Sequence, residues 1–325
     1  MTPFDTIRFC GRSDIGQKRK NNEDNFGAFS GCGLFCVADG MGGGDDGEIA
    51  SAAIVRGLDC VADALSPRND RTLPRETIVG CVAKVVNSAS TWIYNRAVNH
   101  HLNGCGSTFV CICFDASNPS VATALHAGDS RLYRIRDGNI EQLTKDHSAA
   151  EMFGAKGEQE INPMFRGMIL RAVGIKQSVE LERTSVEVKE NDAFILCSDG
   201  LYRMIDEAHI AELTTADKDE AAIVASLVDA ANESGGIDNI SVVLLKVGKL
   251  PSPIGVDRSL PIPEINEATL SEDGSCKDAS LSESDEQIGE IGCCEASDEG
   301  IEAHSRGMRL DWLRLFLARI RKWVT

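Results

Sequence analysis

Apolar residues along the first 250 positions fall into short alternating runs and a few longer runs of helical spacing. The short runs, each closed by turn residues, predict strands at 6–12, 25–30, 33–38, 108–114, 121–127, 131–136, 140–143, 185–188, 193–197 and 240–247. Helical periodicity predicts helices over 47–65, 75–99, 206–213 and 219–232. The strands follow one another in hairpin-like succession and do not alternate strictly with helices. That order predicts an α/β (α+β) sandwich of mainly antiparallel sheets covered by helices, and argues against a doubly wound parallel sheet.

Two stretches depart from this pattern. Residues 147–178 carry Gly154, Gly157, Pro163, Gly167 and Gly174, which break any regular period and predict an irregular surface insertion. From Pro251 the composition changes. Prolines at 251, 253, 261 and 263 lead into a Ser/Glu/Asp-rich stretch, in which 14 acids over 251–305 face only Arg258 and Lys277. Low hydropathy and high charge predict a disordered acidic linker there. Residues 306–325 then turn basic, with six bases against Asp311. On a helical wheel Trp312, Leu313, Phe316, Leu317, Ile320, Trp323 and Val324 share one face, opposite Arg314, Arg321 and Lys322. The chain thus reads as a domain over 1–250, a linker over 251–305 and a basic amphipathic helix over 306–325.

Charge narrows the function. The net charge is −17, and about −10 of it falls on 1–250, so the globular part lacks the basic stripe that nucleic-acid binding requires. The twelve cysteines include no C-x-x-C pair and no zinc spacing, which predicts reduced thiols in a cytoplasmic protein. No apolar run approaches the roughly 20 residues that span a bilayer.

The acids are more informative. Arg19-Lys20-Asn21-Asn22-Glu23-Asp24 precedes a predicted strand, and Val37-Ala38-Asp39-Gly40-Met41-Gly42 ends one. Leu196-Cys197-Ser198-Asp199-Gly200 ends another, and Gly235-Gly236-Ile237-Asp238-Asn239 precedes the last. Any one Asp-Gly pair reads as a surface turn. Four acidic segments at strand ends beside flexible backbone read together as an oxygen-only cation site, suited to Mg²⁺ or Mn²⁺.

With Gly106-Ser107-Thr108, His126-Ala127-Gly128-Asp129-Ser130-Arg131, Leu143-Thr144-Lys145-Asp146-His147-Ser148 and Asp238-Asn239-Ile240-Ser241, these segments resemble the type 2C metal-dependent protein phosphatases, the PPM family, in their bacterial form. The resemblance spans about residues 6–247. It implies a four-layer sandwich, two packed sheets flanked by helices, with a flap at 147–178. It implies that Asp39, Asp199 and Asp238, with the Gly40 carbonyl, hold two Mn²⁺ or Mg²⁺ ions. Glu23 and Asp24 then hold bound waters or a metal directly, Asp129 with Asp199 takes a weaker third ion, and Arg19 binds the substrate phosphate. Met41 stands where many eukaryotic members carry histidine, and Asn162 departs from a His-Pro pair common in the flap.

The chemistry agrees with the resemblance. Two cations about 4 Å apart can share a water and make hydroxide available near neutral pH, and that hydroxide attacks phosphorus in line. The expected substrates are phosphoserine and phosphothreonine proteins, with a cognate serine/threonine kinase as the opposing activity. A catalytically silent phosphatase-like binding module and a phosphatase of anti-sigma antagonist proteins are the alternative readings. His147 reads as a flap anchor, Arg131 as a structural ion-pair partner and Asp14 as a turn residue.

The tail carries its own expectation. A basic helix edged with tryptophan suits an anionic membrane surface or a partner's groove, with docking on the chain's own body as the competing outcome. Full-length protein is expected to sediment with anionic liposomes at low salt while a 1–250 truncation stays in the supernatant. Equal recovery of both in the supernatant rules out the membrane version.

Overall fold

A computed structural model describes residues 3–42, 46–102, 104–153 and 167–260, all within one compact unit that ends at Leu260. In chain order its elements are β1 (Ile7–Asp14), β2 (Asp24–Phe29), β3 (Leu34–Met41), α1 (Gly47–Leu65), β4 (Arg71–Thr72), α2 (Arg75–Asn99), β5 (Gly106–Ser107), β6 (Phe109–Phe114), β7 (Val121–Ala127), β8 (Arg131–Arg136), β9 (Asn139–Gln142), α3 (Ala149–Met152), β10 (Glu182–Glu187), β11 (Ala193–Cys197), α4 (Asp199–Tyr202), α5 (Glu207–Thr215), α6 (Glu220–Glu233), β12 (Ile240–Val247) and β13 (Gly255–Val256).

Period-two alternation sorts the strand residues into layers. In β11 and β12, Phe194, Leu196, Val243, Leu245 and Val247 face one way and join Phe35, Val37, Val110 and Ile112 in the core between the sheets. The intervening Ile195, Cys197, Val242 and Leu244 face the other way, onto Ile210 of α5 and Ile223, Leu227 and Val228 of α6. One sheet has the order β1-β12-β11-β8-β9 and the other β10-β7-β6-β3-β2, with β5 added to β3. Every ladder in these two sheets is antiparallel. Helices α1 and α2 pack on each other, and α1 covers β2 and β3. The architecture is helix, sheet, sheet, helix, as the resemblance implies.

Helices α1 and α2 and strands β7, β8, β11 and β12 match their predicted ranges residue for residue. Three differences have physical causes. The two-residue strands β4, β5 and β13 are too short to carry a periodic signal. Strand β2 begins one residue before its predicted range and β3 ends three residues beyond its own, because the ladders continue through the pair Asp24–Asp39 and on to β5. The chain also does not leave the body at Pro251, where the composition changes. Ile254 packs on the core and donates its N–H to the Ala116 carbonyl at 3.1 Å. Strand β13 then pairs in parallel with β4. Residues 251–260 of the predicted linker thus make defined contacts with the body; the rest of the linker and the basic helix predicted at 306–325 lie outside the described residues.

Part of the flap is described. Helix α3 is capped by the Ser148 side chain, which accepts from the Glu151 N–H. Ser148 bridges to Ile169, and Val173 bridges to Ser107. Residues 154–166, including Asn162, lie outside the described residues.

Phe194 reports on the inter-sheet core. It is fully buried and meets Phe114 edge-on at a centroid distance of 6.0 Å. Phe194→Ala removes that contact and leaves a cavity, with an expected loss of about 3–5 kcal/mol in urea unfolding. A loss below about 1 kcal/mol would show that the sheets collapse around the gap.

Candidate metal centre

Strand register makes the first acidic pair. Asp24 opens β2 directly opposite Asp39 of β3, so both side chains leave the same face of the ladder. The Asp39 N–H donates to Thr108 Oγ1 at 3.0 Å, and its carbonyl accepts from the Thr108 N–H at 2.8 Å and from Ser107 Oγ at 3.0 Å. The opposite sheet supplies the next acid. Ser198, which precedes α4, donates its hydroxyl to Asp24 Oδ2 at 2.7 Å, and Asp199 is the first residue of that helix.

The glycines after the aspartates are not turn residues, contrary to the simplest reading of an Asp-Gly pair. Asp39-Gly40 lies inside β3, and Asp199-Gly200 lies in the only turn of α4. A Cβ on Gly40 would stand 2.2 Å from the Gly47 carbonyl oxygen and 2.5 Å from that of Glu23. On Gly200 it would stand 2.1 Å from the Asn239 carbonyl oxygen. Backbone meets backbone here, and only glycine leaves the room.

Asn239 performs a role that its position beside Asp238 does not announce. Its Oδ1 accepts from the Glu23 N–H at 2.9 Å, and its Nδ2 donates to the carbonyls of Ile15 at 3.0 Å and Asn21 at 2.9 Å. One buried amide therefore ties the Glu23 segment to the Asp238 segment. Glu23 lies against the start of α1, where the helix N-terminus favours a carboxylate. At the rim, Arg19 Nη2 donates to Asp238 Oδ2 at 2.7 Å, a partner 219 residues away in sequence. Asp129, after β7, is held from α4: Tyr202 donates its hydroxyl to the Asp129 carbonyl at 3.0 Å, and Arg203 Nη2 donates to Asp129 Oδ2 at 3.3 Å. Arg203 Nε also lies 3.1 Å from Asp199 Oδ2. Sequence reasoning missed Arg203, although a basic residue four after Asp199 is a recognisable helical pair.

The electrostatics are those of crowded buried acids. Burial pushes Asp39 well above the ordinary aspartate range, and the charges of Asp24, Asp199, Asp129 and Asp238 add to the effect. Burial raises Asp24 to about 6, against the hydrogen bond from Ser198. Burial raises Asp199 to about 7 and also raises Asp129, with Arg203 opposing in both. Glu23 is raised by burial, with Arg19 opposing. Asp24 Oδ1 and Asp129 Oδ1 are buried without any hydrogen-bond partner. The orphaned oxygen of Asp24, beside the raised carboxyl of Asp39, fits a bound cation, and an all-oxygen donor set fits Mn²⁺ or Mg²⁺.

Among the described residues, one set of three His/Cys/Asp/Glu side chains brings its ligand atoms within 4.8 Å of one another, and it is His126, His147 and Glu182. The aspartates instead surround a wider space. The two imidazoles stack at a centroid distance of 4.5 Å. His126 Nε2 contacts the Lys145 carbonyl at 2.8 Å, His147 Nδ1 accepts from the Gly128 N–H at 3.2 Å, and His147 Nε2 contacts Glu182 at 3.0 Å. His147 thus sits between the Gly128 turn and β10. Arg131 pairs with Asp146 at 2.7 Å, and Asp14 Oδ1 accepts from the Gly16 N–H at 2.9 Å in a turn.

A family model described as "Protein phosphatase 2C" matches residues 10–232. Serine/threonine phosphatase stp of Listeria innocua is 33% identical over 243 residues, 72% of this chain and 94% of that protein. PstP of Mycobacterium tuberculosis is 33% identical over 247 residues, 74% of this chain and 45% of that protein. A crystal structure of the PstP catalytic domain in complex with 2 manganese ions is similar at a TM-score of 0.63 and 32% identity, covering 75% of this chain and 99% of that one. PppA, a regulatory component of T6SS in Pseudomonas aeruginosa, is similar at a TM-score of 0.65 and 30% identity, covering 74% and 96%.

The crowded acids have a measurable consequence. An aspartate raised in the fold keeps a proton that the unfolded chain has released, so its contribution to stability falls as pH rises above about 4. With chelator present, Asp39→Asn is therefore expected to melt higher than the parent at about pH 8, and the difference to shrink as pH falls toward about 4. A variant no more stable than the parent at the higher pH would show that Asp39 carries no such strain.

Proposed function

Because the chain belongs to the protein phosphatase 2C family, we propose that Asp39, Asp199 and Asp238, with the Gly40 carbonyl, Glu23 and Asp24, hold its divalent cations and that Arg19 holds the substrate phosphate. The chain is a metal-dependent protein serine/threonine phosphatase, a hydrolase that works with Mn²⁺ or Mg²⁺. The observation that carries the residue assignment is the gathering of Asp24, Asp39 and Asp199, drawn from both sheets, into one buried site where the charges of Asp24 and Asp199 both raise Asp39.

Bound cations supply a water of lowered pKa and offset the charge of the phosphoryl group in flight. The chain's own residues prepare the place. Ser198 occupies Asp24 Oδ2 and leaves Oδ1 as the free donor. Asn239 sets Glu23 relative to Asp238. Arg19 is half-exposed at the rim, anchored by Asp238, and its planar fork can take two phosphate oxygens. Met41, next to Gly40, has no proton to give to the departing serine or threonine alkoxide.

The substrates are phosphoserine and phosphothreonine proteins, and the finer proposal is that they are the products of a cognate serine/threonine kinase. Among the described residues no helix is long and apolar enough to cross a membrane. The silent-module reading is not favoured, because the relatives and solved structures that the chain resembles are named serine/threonine phosphatases.

Asp39→Asn and Asp199→Asn are each expected to leave less than about a tenth of the parent's turnover of a phosphothreonine peptide at saturating Mn²⁺, since ligands of one cluster act as a unit. Greater retention in either would sink that residue's assignment. Arg19→Ala is expected to raise KM for the phosphopeptide and to lower kcat modestly. An unchanged kcat/KM would make Arg19 structural.

A further inference from the structure

The family resemblance assigns Asp129 and Asp199 to a weaker third cation, but in this chain the two carboxylates already share a positive charge. Arg203 follows α4, four residues after Asp199, and its backbone N–H donates to the Asp199 carbonyl at 3.0 Å. The helical turn therefore returns its side chain toward Asp199. Nε lies 3.1 Å from Asp199 Oδ2, and Nη2 lies 3.3 Å from Asp129 Oδ2. A single planar guanidinium spans both acids.

The residues around Arg203 hold this arrangement. Tyr202 donates its hydroxyl to the Asp129 carbonyl at 3.0 Å, which pins the end of α4 to the turn that carries Asp129. The Tyr202 ring in turn lies against the Arg131 guanidinium at 3.7 Å, and Arg131 is gripped by both oxygens of Asp146. The turn is itself constrained: Gly128 has φ of +112°, and a Cβ there would strike Thr108 at 2.7 Å. Burial raises both Asp129 and Asp199, and Arg203 is the strongest influence drawing each back down. The guanidinium does electrostatically what an ion between the two carboxylates would do.

We propose that Arg203 is a built-in replacement for the third cation, so that this phosphatase binds two divalent ions and carries its third positive charge covalently. The inference rests on the two-cation reading of the site given above. An ion that bridges Asp129 Oδ2 and Asp199 Oδ2 would have to displace the guanidinium from both. A tethered charge also competes at a fixed, high effective concentration that does not follow the metal supply. Arg203 is thus a positioning residue for Asp199, and its effect appears in metal stoichiometry, which a merely structural ion pair would not change.

The test is isothermal titration of the chelator-stripped full-length protein with Mn²⁺ alone, checked by metal analysis after equilibrium dialysis. Two ions are expected in the parent and in Arg203→Lys, and three in Arg203→Ala, the added site binding at least about tenfold more tightly than any further binding by the parent. Three ions in the parent overturn the proposal, and that outcome does not depend on any variant folding. Two ions in a folded Arg203→Ala overturn it as well. Fewer than two in the parent would instead overturn the two-cation reading on which it rests.

Discussion

Several carboxylates are buried in one place, and the rest of the molecule is arranged around that cost. Ions taken out of water are expensive, and like charges side by side more so. Burial raises Asp24, Asp39, Asp129 and Asp199, and the charge of a neighbouring aspartate adds to the rise in each. The two sheets supply the rigidity that keeps these acids from moving apart. Their common core of Phe35, Val37, Phe194, Leu196 and Val243 begins a few residues from the aspartates, on the same strands. Stability invested in the sandwich is what allows the site to remain unfavourable without cations.

Close backbone contact is the second device. At Gly40 and Gly200 main chain runs against main chain, at distances that no side chain permits. Asn239 completes the junction by using both ends of its amide on three backbone groups. The acids therefore stand on a frame of strand ends, one short helix and a hydrogen-bonded amide, with little freedom to relax. Such preorganisation suits a reaction whose catalysis consists mainly of positioning and charge balance.

The legible and illegible parts of the sequence differ in range. Helix α1, helix α2 and strand β12 are long periodic runs whose pattern repeats over several turns or pleats, so their limits could be read directly. The clustered acids were legible as a set of motifs, because each lies at or beside the end of a strand. Interactions of long sequence separation were not. Nothing near Arg19 indicates Asp238, and nothing near Asn239 indicates Glu23 or Ile15. The steric constraint on Gly40 was illegible for the same reason: it comes from Gly47 and Glu23, which reach it through tertiary packing. The composition shift at Pro251 does not register that β13 and Ile254 are held by β4 and Ala116, contacts that no local pattern records.

The stacked histidines illustrate how lone pairs decide chemistry that distances leave open. The Lys145 carbonyl can only accept, so His126 carries its proton on Nε2 and presents an unprotonated Nδ1. The Gly128 N–H can only donate, so His147 spends its Nδ1 lone pair there and carries its own proton on Nε2, toward Glu182. Both rings are thereby fixed in the same tautomer. A cation at His147 Nε2 would require an imidazolate, or loss of the Gly128 bond. In the trio that is spaced like a transition-metal site, the lone pair of His147 is thus already spent on the backbone, and a metal there would have to compete with the Gly128 N–H for it.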